Sequence, residues 1–259
     1  CDGDGVPNTQ EIIDGTDPSD PCDYLVASQV IGNVTAAWNL LDCDGDGVPN
    51  GTEVIDGTDP QDPCDYLVAS QVIGNVTAAW NLLDCDGDGV PNGTEVTDGT
   101  DPNDPCDYLV ASQIIGNVTA AWNALDCDGD GVTNGQEIID GTDPQDPCDF
   151  NPLSITLPVT AILDCDGDGV PNTQEIIDGT DPNDPCDYLA ASQVIGNVTA
   201  AWDAIDCDGD GVPNGTEVID GTDPNDPCDY LASSQVIANV IAAWNLLDCD
   251  GDGVPNGTE

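Results

Sequence analysis

The sequence "DCDGDGVPNGTE", residues 42–53, carries an Asp at its first, third and fifth positions, a Gly at its sixth and a Glu at its twelfth. This is the D-x-D-x-D-G-x5-E pattern of a calcium-binding loop. Alternate residues of a curled loop point carboxylates inward, the glycine permits the sharp turn, and the Glu closes the site with two oxygens. The pattern predicts Ca²⁺ rather than Mg²⁺, because Mg²⁺ keeps its waters and demands a strict octahedron.

Copies of this loop recur along the chain at 84–95, 126–137, 164–175, 206–217 and 248–259, and a copy lacking its first Asp opens it at 1–11. The alternative interpretation is a series of Asp/Gly turns with solvated charge. The twelfth-position Glu returns in every copy at the spacing of the motif, which favours metal sites over turns.

The predicted ligands share the loop positions of the motif. Those at positions 1, 3 and 5 are Asp2, Asp4, Asp42, Asp44, Asp46, Asp84, Asp86, Asp88, Asp126, Asp128, Asp130, Asp164, Asp166, Asp168, Asp206, Asp208, Asp210, Asp248, Asp250 and Asp252. Position 7 offers the backbone carbonyls of Val6, Val48, Val90, Val132, Val170, Val212 and Val254. Position 9 is Asn8, Asn50, Asn92, Asn134, Asn172, Asn214 and Asn256. Position 12 is Glu11, Glu53, Glu95, Glu137, Glu175, Glu217 and Glu259.

A second acidic cluster follows each loop, and we expect it to bind a second calcium ion. In residues 42–83 that ion would share Asp44, Asp46 and Glu53 and add Asp59 and Asp62, because carboxylates so close together would otherwise repel. The alternative is that Asp59 and Asp62 only cap turns before the prolines that follow them. The equivalent pairs are Asp17 and Asp20, Asp101 and Asp104, Asp143 and Asp146, Asp181 and Asp184, and Asp223 and Asp226.

The cysteines set the period of the chain. The first cysteine of each copy recurs every 42 residues, with one interval of 38, and the next cysteine always follows it by 21. This periodicity predicts tandem repeats. Their boundaries are 1–41, 42–83, 84–125, 126–163 (with a shorter connecting stretch), 164–205, 206–247 and 248–259. The first and last repeats are incomplete, so we expect the chain to be a window on a longer protein.

Within a repeat the sequence predicts a loop, a short helix, a turn and a connector. "NGTEVI" (50–55) favours one or two helical turns, which Gly57 and Pro60 end. In the short connector, "FNPLSITLPVTAIL" (150–163), apolar residues including Ala161 alternate with polar ones, and period two predicts a β-strand. The long connectors, such as "LVASQVI" (67–73), alternate less cleanly but also favour a β-strand. The long connectors each hold one Tyr and one Trp, such as Tyr66 and Trp80, which we interpret as a small core.

The charge of the chain limits its partners. It has 52 acidic residues and no Lys, Arg or His, and the acids other than Asp203 lie in the two clusters of each repeat. Nucleic acid and anionic membrane surfaces are excluded, because no cation is present to neutralise phosphate. Polar residues interrupt the uncharged stretches, so they predict no transmembrane span. Bound cations would supply the positive charge that a compact state requires.

Thirteen cysteines indicate an oxidising compartment. The chain has no CxxC motif and no His, so a zinc site is not predicted. The constant separation of 21 predicts disulfides within each module. The pairs would be Cys1–Cys22, Cys43–Cys64, Cys85–Cys106, Cys127–Cys148, Cys165–Cys186 and Cys207–Cys228, with Cys249 bonded to a residue beyond the chain. The competing pattern joins cysteines across the connector, as in Cys22–Cys43.

The modules of the type "DCDGDGVPNGTEVIDGTDPNDPCD" resemble the calcium-binding thrombospondin type 3 repeats, most closely those of large secreted surface proteins of gliding, Bacteroidota-type bacteria. The resemblance implies an elongated, calcium-stiffened array that is often adhesive and is exported to the cell surface. It also implies that Asp42, Asp44, Asp46, Asn50 and Glu53, with their equivalents, are calcium ligands. The long Trp-bearing connector departs from the family.

The fold class expected is therefore a tandem array of small calcium-stabilised repeats, elongated as a rod or fibre and poor in regular secondary structure. We expect an extracellular structural protein that self-associates through connector strand edges and contacts cell-surface or glycan partners. A calcium buffer or mineral-interacting polyanionic matrix protein is the alternative. An enzyme is not expected, because the carboxylate pairs recur in every repeat without His, Lys or Arg to assist them. The "NVT" sequons at Asn33, Asn75, Asn117 and Asn197 are glycosylation candidates.

Overall fold

The computed structural model describes residues 2–160 and 162–258. The chain forms two compact bodies, Cys1–Asn123 and Ala124–Glu259. In the described residues the regular structure consists of short α-helices and 3-10 helices, and no strand is present. The helices of this part of the chain are all too short or too polar to traverse a bilayer.

Each of the first six modules has one seven-residue α-helix, which begins at the Asn in loop position 9, and one connector has an α-helix of its own. These helices are α1 (Asn8–Asp14), α2 (Asn50–Asp56), α3 (Asn92–Asp98), α4 (Asn134–Asp140), α5 (Asn172–Asp178), the connector helix α6 (Ala200–Ala204) and α7 (Asn214–Asp220). The 3-10 helices are Val26–Ser28, Ile31–Asn33, Trp38–Leu40, Ile73–Asn75, Trp80–Leu82, Val110–Ser112, Trp122–Ala124, Pro152–Ser154, Ile195–Asn197, Ile237–Asn239, Trp244–Leu246 and Asn256–Thr258.

The boundaries of α2 follow from the residues at its two ends. Pro49 precedes the helix with φ −69°, and its carbonyl accepts the N–H groups of Thr52 at 2.7 Å and Glu53 at 3.2 Å. Gly57 ends the helix in the left-handed region at φ 84°, where its N–H donates to the Glu53 carbonyl. Glycine reaches this conformation without strain. The predicted short helix and its stop at Gly57 are confirmed.

The connector folds back over the loop of its own repeat. The N–H of Val72 donates to the Gly47 carbonyl at 3.1 Å, and the N–H of Thr77 donates to the Gly45 carbonyl at 2.9 Å. Both glycines have positive φ, 84° at Gly45 and 89° at Gly47. A Cβ at Gly47 would also lie 2.8 Å from the Val72 carbonyl oxygen. Glycine is therefore required by the backbone conformation and by the close approach of the connector.

The core of a repeat is small and aromatic. In residues 42–83 it consists of Val48 and Trp80, both fully buried, and Tyr66, which is 7% exposed. The two rings meet edge to face with centroids 6.0 Å apart, and the indole Nε1 donates to the Pro63 carbonyl at 2.9 Å. Val96 of the following repeat packs against this cluster. The prediction that the connector Tyr and Trp form the core is confirmed, and the core extends across the repeat junction.

The β-strands predicted for the connectors are wrong, both in the long connectors such as 67–73 and in the short one. Pro152–Ser154 is a 3-10 helix, and the described residues around it form no strand. The N–H groups of Thr156 and Leu157 both donate to the Gly131 carbonyl at 2.9 Å. The connector therefore bonds to the calcium loop, which leaves it no partner strand, and Leu153 is 95% exposed. Ala161, one of the alternating positions, lies outside the described residues.

The disulfides follow the competing pattern, so the predicted pairs within modules are wrong. The bonds join the second cysteine of one repeat to the first of the next, with Cα–Cα distances of 5.3–5.4 Å: Cys22–Cys43, Cys64–Cys85, Cys148–Cys165, Cys186–Cys207 and Cys228–Cys249. Cys249 is therefore bonded within the chain.

The cause of this pairing is the path of the connector. Each long connector returns to its starting point, where its Trp bonds to the proline carbonyl beside the second cysteine, as Trp80 does at Pro63. In the short connector the separation is 17 rather than 21, and the loop still closes. Cys1 lies outside the described residues, but its predicted partner, Cys22, is bonded to Cys43.

Candidate metal centres

The loop is held in a tight curl by its first Asp. In residues 42–53 Asp42 accepts the Gly45 N–H on Oδ1 at 2.7 Å and the Gly47 N–H on Oδ2 at 3.0 Å. Asp44 and Asp46 then each accept one backbone N–H on Oδ1, at 3.2 Å and 2.7 Å. These bonds orient the carboxylates toward the inside of the curl.

The remaining carboxylate oxygens of the loop are buried without a partner. They are Oδ2 of Asp44, Oδ2 of Asp46 and both Oε atoms of Glu53, the last from the first turn of α2. Asp46 and Glu53 are fully buried. Carboxylate oxygens of Asp42, Asp44 and Asp46 lie within 4.8 Å of one another.

The same arrangement recurs in the other complete repeats. The equivalent oxygens without a partner are Oδ2 of Asp4, Asp86, Asp88, Asp128, Asp130, Asp166, Asp168, Asp208 and Asp210, and both Oε atoms of Glu11, Glu95, Glu137, Glu175 and Glu217. A buried carboxylate oxygen that has neither a hydrogen bond nor a counter-charge is destabilising. An all-oxygen donor set of this kind is what Ca²⁺ binds, so these residues fit a calcium ion.

The carboxyl groups of the loop have strongly raised pKa values. Burial, together with the charges of Asp44 and Asp46, raises the pKa of Glu53 to about 9. Burial and the charge of Asp46 raise the pKa of Asp44 to about 7, and burial raises that of Asp46 to about 6. The chain has no basic side chain to offset these charges. A divalent cation would allow all three groups to ionise at neutral pH.

The predicted ligand Val48 anchors the loop in the core. Its N–H donates to Asp46 Oδ1 at 2.7 Å, and its side chain is fully buried. By contrast, Val254 of the last loop, which is followed by no connector in this chain, is 40% exposed. The connector therefore supplies the burial of the loop. The role of the position 7 carbonyl as a ligand stays a prediction, and Glu259 lies outside the described residues.

The Asn at position 9 has a structural role that the sequence analysis missed. The buried Asn50 accepts the Cys43 N–H on Oδ1 at 3.0 Å, and its Nδ2 donates to the Cys43 sulfur at 3.2 Å. It therefore ties the loop entrance and the disulfide to the start of α2, and its role as a calcium ligand stays a prediction. The signal was present in the sequence, because each loop has a Cys at position 2 and an Asn at position 9. The same pair of bonds is made by Asn92, Asn172, Asn214 and Asn256.

A glutamine of the connector also supports the loop. Gln71 Nε2 donates to the backbone carbonyl of Asp46 at 2.7 Å. The equivalent glutamines of the other long connectors make the same bond: Gln29, Gln113, Gln193 and Gln235. A Gln at the same place in each long connector was the signal for this role.

The second acidic cluster caps turns. Asp59 Oδ1 accepts the Gln61 N–H and Asp62 Oδ1 accepts the Cys64 N–H, both at 3.1 Å. Asp59 also raises the pKa of Glu53, though less than burial and the loop carboxylates do. The charge of Asp59 therefore acts on the loop of its own repeat. The second calcium ion at Asp59 and Asp62 stays a prediction beside the capping role that the structure shows.

Comparison with known proteins identifies the module. The family model of the bacterial TSP3 repeat matches residues 1–21, 42–63, 84–105, 126–147, 164–185 and 206–227, which together are just over half of the chain. No curated protein and no solved structure gave a significant match. The repeats of this family are a structural, calcium-binding type, and the Asp clusters described above lie in the matched segments. The chain therefore belongs to the bacterial thrombospondin type 3 repeat family.

Proposed function

We propose that this chain is a calcium-binding structural segment of an extracellular protein, in which each repeat binds at least one Ca²⁺. The observation that carries this proposal is the group of four buried oxygens without a partner, on Asp44, Asp46 and Glu53, and its recurrence in the other complete repeats. In water such oxygens would be hydrated, and in a protein interior they require a donor or a cation.

The ion would be held by the carboxylates at positions 1, 3, 5 and 12, with the position 7 carbonyl and the position 9 side chain as further candidates. A bound calcium ion would link the loop to the following helix, because it would bind the Asp carboxylates of the loop and the Glu carboxylate of the helix. A second ion would use Asp59 and Asp62 in addition, and would bring two more charges to a repeat that carries eight carboxylates.

The junctions between repeats support a role in stiffening an array. At the junction of the second and third repeats, the Asn92 N–H donates to the Leu83 carbonyl at 2.8 Å. The disulfide Cys64–Cys85 crosses the same junction, and Val96 packs on the core of the preceding repeat. Because Asn92 belongs to the next calcium loop, metal binding in one repeat stabilises its contact with the other. We propose a rod or fibre built on these junctions.

Two properties support an extracellular setting. The disulfides require an oxidising environment to form and persist, and loops of this kind in extracellular modules bind calcium at ~10⁻⁴–10⁻³ M, near its concentration outside cells. We therefore place the chain outside the cell or at its surface, where it would take part in adhesion to cell-surface or glycan partners.

Self-association is proposed on the basis of exposed apolar side chains. Leu40, Ile55 and Leu82 are 81%, 84% and 80% exposed. Leu40 and Ile55 lie on one groove of about 480 Å³ at the junction of the first and second repeats. Exposed apolar patches of this kind are typical of association surfaces. Sedimentation in calcium should show concentration-dependent oligomers, and a chain that stays monomeric at high concentration would contradict this part of the proposal.

The alternative function is a calcium buffer or a mineral-interacting polyanion. The two functions differ in what calcium does to the core, because a buffer binds ions without needing a fold. Titration of the chelated, oxidised chain with calcium, followed by tryptophan fluorescence and circular dichroism, distinguishes them. A structural role predicts that the buried indoles become solvated in excess chelator and that broad-specificity proteases then digest the chain. An unchanged spectrum and continued protease resistance would contradict it.

A matched control is available for these titrations. Asp203 is the one acid outside the two clusters, and the corresponding residue in the second repeat is Asn81. The variant Asp203→Asn removes one negative charge without touching a predicted ligand. It should leave the calcium stoichiometry and the midpoint of the titration unchanged.

A further inference from the structure

Four Asn-Val-Thr sequences lie at the same place in the long connectors, at Asn33, Asn75, Asn117 and Asn197. Each Asn side chain is exposed at the surface of its repeat. Asn75 is typical, since it ends the 3-10 helix Ile73–Asn75, and the chain then continues extended at Val76 with φ −59° and ψ 146°. No intramolecular hydrogen bond of the described residues uses these side-chain amides, so the fold itself assigns them no function.

The residues around this Asn are not required by the fold either. Gly74 lacks a positive φ, and a Cβ added there would have no atom within 4 Å. Thr77 Oγ1 donates to the Gly45 carbonyl and accepts the Trp80 N–H, each at 3.2 Å. The sixth repeat shows that both residues can be replaced, because it has Ala238 and Ile241 at these positions.

The sixth repeat keeps its structure with these replacements. The Ile241 N–H still donates to the Gly209 carbonyl at 3.0 Å. Trp244 still donates from Nε1 to the Pro227 carbonyl at 2.8 Å, and it remains 5% exposed. The Gly and the Thr beside the exposed Asn are therefore dispensable for folding, and both are absent from the one long connector in which the Asn-X-Thr sequence is interrupted.

A second set of Asn-X-Thr sequences serves as an internal comparison. Asn50, Asn92 and Asn214 precede Gly-Thr in the calcium loops, and their side chains are fully buried. Their amide groups are occupied by the backbone and sulfur of the neighbouring cysteine, as at Asn92 with distances of 3.0 and 3.1 Å. A substituent on Nδ2 of these residues would displace the disulfide from the loop, so a chain modified there could not adopt this fold.

We propose that in the folded chain Asn33, Asn75, Asn117 and Asn197 carry N-linked glycans, and that Asn239 and the buried loop asparagines do not. The sugar donor is a lipid-linked saccharide pyrophosphate. In the transfer, the Asn Nδ2 forms a bond to C1 of the sugar while the bond from C1 to the pyrophosphate oxygen breaks. The lipid pyrophosphate leaves with the electron pair, and a base of the transferase takes the amide proton.

The fold also determines when the transfer occurs. In the folded repeat the Thr hydroxyl that the transferase must recognise is bonded to the loop and to the Trp80 N–H. Transfer therefore precedes calcium-dependent folding. The exposed Asn then allows the glycan-bearing chain to fold, whereas a glycan at Asn92 prevents it.

The test uses the chain as secreted by the cells that produce it, purified in calcium. Peptides made by chymotrypsin and an acid-specific protease are analysed by mass spectrometry before and after enzymatic deglycosylation in heavy-oxygen water, which labels each formerly modified Asn. The expected result is label at the four Asn-Val-Thr sites and none at Asn92, Asn214 or Asn239. Unmodified Asn75 and Asn117, or label at Asn92 in the calcium-folded fraction, would overturn the proposal.

Two variants produced in the same cells sharpen the result. Thr77→Ile copies the sixth repeat, so it should remove the glycan at Asn75 while the calcium titration of the chain stays unchanged. Ile241→Thr creates an Asn-Val-Thr sequence at Asn239 and should add one glycan mass there. Retention of the glycan in the first variant, or no gain in the second, contradicts the assignment.

Discussion

The substitution Glu95→Gln should have opposite effects on the stability of the third repeat with and without calcium. Glu95 is fully buried, and neither of its carboxylate oxygens has a hydrogen-bond partner. Burial and the charges of Asp86 and Asp88 raise its pKa to about 9, from an ordinary value of 4.5. Gln is nearly isosteric with the protonated acid, so the substitution changes the charge and not the packing.

The magnitude without calcium follows from linkage. At pH 7 the unfolded Glu95 is ionised, whereas the folded, metal-free Glu95 must bind a proton. One pKa unit is worth about 1.4 kcal/mol, so protonation from 4.5 to pH 7 costs the metal-free repeat roughly 3 kcal/mol. Gln avoids this cost, so we expect Glu95→Gln to stabilise the metal-free third repeat by an amount of that order.

With calcium bound, Glu95→Gln should destabilise the third repeat instead of stabilising it. Position 12 supplies both oxygens of its carboxylate to the ion, and removal of one partner of a buried charge pair costs roughly 3–5 kcal/mol. That is a loss of at least about 100-fold in calcium affinity at this loop. The calcium-bound variant should therefore be less stable than the calcium-bound parent.

Native-state hydrogen exchange of residues 84–125 resolves the third repeat within the full chain, and isothermal titration counts the ions bound. Asp203→Asn is the control, and it should change neither measurement. Lower protection of the Glu95→Gln variant both in calcium and in chelator would mean that Glu95 has a purely structural role. An unchanged number and affinity of bound ions would mean that it is not a ligand.

Four further outcomes are expected. The native metal-free chain binds more protons than the unfolded chain, because its loop pKa values are raised, so its stability should fall as pH rises from about 4 to about 9. In saturating calcium the bound loops are ionised like the unfolded chain, so stability should instead be nearly independent of pH above about 5. Parallel pH profiles would contradict the assignment of the loops. Trp202→Phe removes a fully packed indole and its 2.9 Å hydrogen bond to a proline carbonyl, so it should destabilise its repeat by ~2–4 kcal/mol in thermal unfolding. A loss of stability under ~1 kcal/mol would mean that the indole is not buried in the core of the repeat. Gly93→Ala places a Cβ 2.7–2.8 Å from Asn81, so it should lower the free energy of unfolding by ~1–3 kcal/mol despite the better helix propensity of Ala. A second substitution, Asn81→Gly, should restore that stability. A single variant more stable than the parent would refute the tight junction. Replacing both Cys64 and Cys85 by Ser should cost ~3 kcal/mol, and maps of non-reduced peptides that join Cys64 to Cys43 would show our connectivity to be wrong.

The clustering of the loop carboxylates could be predicted from the sequence because it is local. The positions of Asp42, Asp44, Asp46 and Glu53 fix which carboxylates meet, and the left-handed Gly57 fixes where the helix ends. The small core of Tyr66 and Trp80 could be predicted for a related reason, since a repeat offers few other large apolar side chains.

The disulfides could not be predicted, because the two candidate separations are both 21 residues in the long repeats. The choice depends on the path of the connector, which returns to the proline carbonyl where its Trp is bound. The strand prediction for 150–163 failed because alternation in sequence does not reveal which groups the backbone N–H groups bond to. In this connector the N–H groups of Thr156 and Leu157 donate to the Gly131 carbonyl of the loop instead of to a neighbouring strand. The structural role of Asn50 was not predicted, because its side-chain amide bonds to Cys43, whereas the motif indicates only metal ligands.

The connectivity of the disulfides has a mechanical consequence. A pull along the chain passes through Cys64–Cys85 and bypasses the connector between them, so the aromatic core bears no load. The extensible part of each repeat is the stretch between its own two cysteines, such as Cys43 and Cys64, which contains the calcium loop and its helix. Those 21 residues reach at most ~70–75 Å when straight, and reduction of the bonds would free the connectors as well. Under tension, calcium release would therefore lengthen the chain in fixed, reversible steps, while the covalent bridges keep each core ready to rebind its loop.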